Sequence, residues 1–163
     1  MDIRTTHVPG FKIGTAEDRE GLTGVTVFLA PEDGAAAGLD VRGCAPGTRE
    51  TDLLSPEKTV QKIHAVVLSG GSAFGLEADS GVMRYLAEQG IGFPVGDSAV
   101  PIVCGAVLFD LSIGDPHAFP DLEMGIKAAS AAGTDFPVGC YGAGTGASVG
   151  KLTGFEHAMK SGA

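Results

Sequence analysis

The sequence predicts a single α/β domain over residues 1–163, and three stretches carry that expectation. Residues 64–90 read as a buried strand that breaks at paired glycines into an amphipathic helix. Residues 11–30 hold two strand-like segments separated by a charged turn, and residues 121–132 hold a second helix. With 163 residues and 44% hydrophobic content, the chain is long enough for one domain with a real core.

Taken in order, residues 11–16 (FKIGTA) and 22–30 (LTGVTVFLA) flank a turn-forming EDREG. In the second, Val25, Val27 and Leu29 alternate with Thr26 and Phe28, which gives a strand at least one buried face. A weaker third strand is expected in AAAGLDVRG (35–43), so the economical arrangement is an antiparallel meander. Residues 45–56 form an irregular loop whose Arg49, Glu50 and Asp52 are either a substrate rim or simply solvated charges. Ala65 to Leu68 are continuously apolar, as in a strand buried on both faces. Beyond Gly70 and Gly71 the helical stripe is Phe74, Ala78, Val82 and Leu86 with Met83 beside it, stopped at Gly90. The two glycines let another backbone or a substrate come close. They also leave the first helical amides facing outward, which suits an oxyanion or phosphate; alternatively they only make the turn.

A further buried strand is expected in the apolar run from Val100 to Leu111, ended near Phe109 and Asp110 by a Gly-Asp-Pro turn. The helix at 121–132 begins after Pro120, with Asp121 and Glu123 in its first turn, and stops at Gly133. Leu122, Ile126, Ala129 and Ala132 make its packing face, and the small residues of KAASAAG suit close helix packing.

Composition excludes several classes of function. Twenty acidic against eleven basic residues leave a formal charge of −9, which opposes non-specific nucleic-acid binding. Cys44, Cys104 and Cys140 are widely spaced with no CxxC, so neither a zinc site nor a disulfide framework is indicated, and no metal or cofactor is expected. Reduced thiols, the lack of a basic-then-apolar start and the lack of a membrane-length apolar stretch point to a soluble, cytoplasmic protein.

Residues 138–154, VGCYGAGTGASVGKLTG, offer two phosphate-loop patterns, and neither is convincing. Gly142, Gly144 and Ala147 fit a dinucleotide turn, but AAGTDFPVGCY before them is a poor buried strand. A Walker-type loop fails at Thr145 and at Leu152, which follows Lys151. What remains is a glycine-dense segment delivering Lys151, a cation that can stabilise developing negative charge or sit on the surface.

Four ordered segments, APGTRETDLL, VVLSGGSAFGLEADSGVMRYL, VPIVCGAVLFDL and GAGTGASVGKL, together resemble the self-processing amidohydrolases. That family includes the L-aminopeptidase/D-esterase, the β-peptidyl aminopeptidases and the nylon-oligomer hydrolases. The resemblance implies an α/β/β/α sandwich, incomplete in this chain, and a precursor that cuts itself into two subunits. It also implies that the freed N-terminal Ser or Thr of the second subunit is the nucleophile, with its own amine as base. By the same resemblance this chain is the N-terminal part, the nucleophile subunit is its missing partner, and the assembly is a homo-oligomer. Lys151 matches a catalytic lysine near the nucleophile, and Gly70, Gly71 and Phe109 are expected to line the substrate. Phe109 stands where several members place a tyrosine, so a hydroxyl is lost there. Val103 to Leu108 lack the acidic residue that holds a free substrate amine in aminopeptidase members, which leans away from strict aminopeptidase specificity. The expected function is hydrolysis of peptide or related amide bonds by the completed enzyme. A nucleotide- or phosphate-binding domain and a non-catalytic remnant are the alternatives.

Overall fold

The computed structural model describes residues 2–162. In chain order its elements are β1 (Asp2–Thr5), β2 (Lys12–Asp18), β3 (Thr23–Leu29), β4 (Thr48–Arg49), β5 (Ala65–Ser69), α1 (Glu77–Glu88), β6 (Phe93–Val95), β7 (Ser98–Val100), β8 (Val103–Val107), α2 (Leu122–Ser130), β9 (Asp135–Val138), β10 (Ser148–Val149) and β11 (Met159–Lys160). The main sheet has the order β2-β3-β5-β8-β4, antiparallel throughout except for the parallel pair β5–β8. β1 pairs with β9, β6 with β7, and β10 with β11, each antiparallel.

Alternation along β3 decides which face is core. Val25, Val27 and Leu29 join Ala65, Val67 and Val103 beneath α1 and α2, against Ala78, Val82, Leu86, Ala128 and Ala129. Val25, Val27, Val67 and Val82 are completely buried, each contributing about 1.5–3 kcal/mol relative to exposure. α2 starts where Asp121 Oδ1 accepts from Met124 N at 2.8 Å. The two helices cross closely because Gly81 lies against Leu122 O, and Gly125 against Ala78 O. A methyl group on either glycine would collide with backbone.

The opposite face is only partly covered. Ile63, Ile102 and Cys104 form a satellite cluster with Leu53, Leu54, Val60 and Val66, and residues 142–143 bond over Thr26 and Glu17. Yet Leu68, on the central strand β5, is 38% exposed. This is one helix layer and its sheet, with the second face of the sandwich incompletely packed.

Three expectations need correction. Residues 35–43 are not a strand: apart from a single bridge between Ala35 and Ile63 they run irregular and mostly exposed, and the place beside β3 is taken by β5. Phe74 does not belong to the core stripe, because residues Ser72–Leu76 form a 3-10 turn and α1 begins only at Glu77. Its ring is 59% exposed and stacks on Phe119 at 4.6 Å. The apolar run at 100–111 is shorter as a strand than expected, because Val100 closes a separate hairpin with Phe93 and β8 spans only Val103–Val107.

Candidate functional site

The parallel pair β5–β8 brings two chain segments out of the sheet side by side, the location where α/β sheets commonly build sites. Asp110, which follows β8 and is 2% exposed, ties them together. Its Oδ1 accepts from Gly71 N at 2.6 Å and its Oδ2 from Thr23 Oγ1 at 2.8 Å. Donors on both oxygens satisfy a charge that burial would otherwise make costly. Gly70 has no side chain because Asp110 and Thr23 fill the space where one would stand, and Gly146 approaches Asp110 from the glycine-rich segment. Gly71 adopts φ +77°, a left-handed conformation that glycine accepts freely.

The amides of Gly70, Gly71 and Ser72 face inward. Gly70 N donates to Gly24 O at 2.9 Å, Gly71 N to Asp110, and Ser72 N to Leu108 O at 3.0 Å. At these three amides an oxyanion would have to displace internal bonds, so the contribution of Gly70 and Gly71 lies in the shape of the turn. Around it stand aromatic rings. Phe119 packs on Gly71 and stacks with Phe74, while Phe109, 38% exposed, meets the ring of Phe155 at 5.2 Å.

Phe155 belongs to the same short region as Lys151. Gly150, at φ +88°, turns the chain into a 3-10 segment, Lys151–Thr153, followed by a second, Phe155–His157. Lys151 is half-buried, and its Nζ donates to Ser148 O at 3.2 Å. Asp110 thus ties Gly70 and Gly71 to the residue that follows Phe109, whereas Lys151 only shares a chain segment with Phe155, the ring that meets Phe109. The Gly142–Thr145 segment is a buried turn whose first amides donate to Glu17 Oε2 and Thr26 Oγ1, so it offers no open phosphate cradle. An open depression of about 750 Å³, lined by Thr15, Glu17, Arg19, Lys127 and Tyr141 among others, includes none of the four expected site residues.

Arg49 is half-buried and turns inward, its guanidinium donating to Ser80 Oγ at 2.6 Å and to Met83 Sδ at 3.7 Å on α1. Cys104 is buried, its Sγ donates to Glu50 O at 3.4 Å, and burial first of all pushes its thiol up to about 11. Among the described residues no group of three or more His, Cys, Asp or Glu is placed to hold a metal ion. Sequence reasoning missed Asp110 and Thr23 as organisers of the site. The available signal was a carboxylate directly after a buried apolar run.

The sequence profile described as Peptidase family S58 matches residues 4–155, nearly the whole chain. The chain belongs to peptidase family S58. A protein described as an uncharacterized aminopeptidase of Mycobacterium tuberculosis (strain H37Rv) is 50% identical over 131 residues, covering 80% of this chain and 38% of the relative. The 6-aminohexanoate-oligomer endohydrolase of Kocuria sp. (strain KY2) is 37% identical over 145 residues, covering 88% of this chain and 38% of that enzyme. Among solved structures, a protein of Pyrococcus horikoshii OT3 superposes with a TM-score of 0.64 at 23% identity, covering 90% of this chain and 47% of that one. A Burkholderia sp. beta-aminopeptidase gives 0.62 at 19%, with coverage of 85% and 41%. These two establish that the S58 chain shares their fold. It spans about 38% of the length of the curated relatives quoted.

Proposed function

We propose that this S58 chain is the N-terminal portion of a self-cleaving peptidase or amidohydrolase that hydrolyses peptide or related amide bonds. The observation that carries the proposal is the family match over residues 4–155, joined to relatives named as an aminopeptidase and as an amide-oligomer hydrolase. In this proposal the nucleophile is the freed N-terminal Ser or Thr of a second subunit, whose amine takes the hydroxyl proton. That subunit packs on the partly uncovered face of the main sheet. Lys151 is the catalytic cation of this half, stabilising the oxyanion and holding the nucleophile's amine neutral near neutral pH. Phe109 and the Gly70–Gly71 turn shape the substrate side, and the aromatic rim around them suits an apolar acyl chain. The free cysteines Cys44, Cys104 and Cys140 fit a reducing, cytoplasmic setting, and a homo-oligomer completes the assembly. The nucleotide-binding alternative draws no support from the buried Gly142–Thr145 turn.

The test is turnover of an amino-acid nitroanilide and of a 6-aminohexanoate oligomer, by the 163-residue chain alone and by the chain joined to its downstream coding segment. The expected result is hydrolysis only in the joined form, accompanied by self-cleavage. Turnover by the 163-residue chain alone, or none by a folded joined form, contradicts the proposal.

A further inference from the structure

Asp79 lies in the first turn of α1 at 1% exposure, and neither of its carboxylate oxygens has a hydrogen-bond partner among the described residues. A buried carboxylate in that condition is costly unless it is neutral or paired. Its niche is made by Gly105 of β8, where any side chain would occupy the place of the Asp79 carboxyl. Gly105 is in register with Arg49 of β4, so the Arg49 side chain rises on the same face of the sheet. There its guanidinium is held by Ser80, the residue after Asp79 on α1, and by Met83. The charged group that acts on the Asp79 carboxyl is Arg49 of β4, and Asp79 in turn acts on the Cys104 thiol of β8. α2 meets α1 through Gly125, which carries no charge.

We propose that Asp79, Arg49 and Gly105 form a proton-gated clasp between α1 and the β8–β4 edge. With the carboxyl protonated, α1 seats flat on Gly105 and Arg49 stays on Ser80 and Met83. When the proton leaves, the carboxylate draws the guanidinium off those partners and over itself, and β4 with the following 50–54 segment moves with it. Burial pushes the Asp79 carboxyl up to about 7 against a smaller downward pull from Arg49, so the transition falls near neutral pH. The folded value exceeds the ordinary one of 3.8, so this group's stabilising contribution is complete below 3.8 and disappears as pH rises through about 7.

The experiment is a carbon-13 carboxyl titration of the whole chain, with the Arg49 Nε–H resonance followed alongside. Asp79 should titrate with a midpoint of about 7, and Arg49 should shift with the same midpoint. Asp79→Asn should abolish the Arg49 transition. Arg49→Met, which removes the neighbouring cation, should move the Asp79 midpoint upward. If Asp79→Asn does not fold, the wild-type and Arg49→Met titrations decide alone. An Asp79 midpoint at about 4, the ordinary value for this side chain, overturns the clasp. So does an Arg49 signal indifferent to the Asp79 transition, or an Asp79 midpoint unmoved by Arg49→Met.

Discussion

Asp110 joins β3, the β5 turn and the end of β8 with two bonds from one buried carboxylate. Replacing it by alanine strands the Gly71 N–H and the Thr23 hydroxyl, at about 1–3 kcal/mol for each orphaned donor. Asp110→Ala should therefore lower stability well beyond Asp110→Asn, which keeps one acceptor, as read by denaturant unfolding. Equal midpoints for the two variants would contradict this role. His64 behaves in the opposite sense to Asp79. It is buried, and its Nδ1 accepts from Ile102 N at 3.1 Å, which requires that nitrogen to be unprotonated. Burial, and then Lys62, hold its pKa below the usual 6.5. Because the folded value is lowered, the contribution of His64 is present above 6.5 and is lost as pH falls through the folded value. In Asp79→Asn, where the opposing group is gone, acidification from about pH 7.5 to about pH 5 should only destabilise the fold. A melting temperature that rises over that range would refute the pairing of signs.

At the scale of elements, the helix crossing gives a prediction with two competing terms. Gly81→Ala and Gly125→Ala each gain up to about 1 kcal/mol in helix propensity. Each also drives a methyl group into the facing helix backbone, at Leu122 O or Ala78 O, and overpacking typically costs about 1–3 kcal/mol. Both variants should melt below the parent, and a gain in melting temperature would show that the helices can separate freely. The strands β2, β3 and β5 and both helices were legible from period and punctuation, because Val25, Val27 and Leu29 alternate and Ala78, Val82 and Leu86 repeat at helical spacing. Residues 35–43 were not, since their alanines and glycines fit several conformations and only tertiary pairing decides among them. Arg49 and Asp79 were misread or unseen for a related reason. Arg49 is set inward by its register with Gly105, a contact between residues far apart in sequence. Asp79, next to Ala78 on the stripe, carried a local signal of burial that charge obscured. The four-segment family pattern named the region of Lys151, but local residues could not show that the Gly70 and Gly71 amides are already engaged.

At the scale of the whole molecule, the main sheet has a packed helix face and an opposite face on which the central-strand Leu68 remains 38% exposed. Exposed apolar surface on a sheet face favours association. The 163-residue chain should self-associate in sedimentation velocity, and joining it to the downstream segment should remove that tendency by covering the same face. A monodisperse monomer that unfolds cooperatively would contradict it. The most direct measurement joins the chain to its downstream segment and compares the parent with Lys151→Met in self-cleavage and in amide turnover, after circular dichroism and melting show equal folding. Lys151 as the catalytic cation predicts a loss of about 100-fold or more, the range for a preorganised electrostatic group. Rates that stay within about threefold of the parent, far short of that range, would show Lys151 to be an ordinary lysine bonded to Ser148 O.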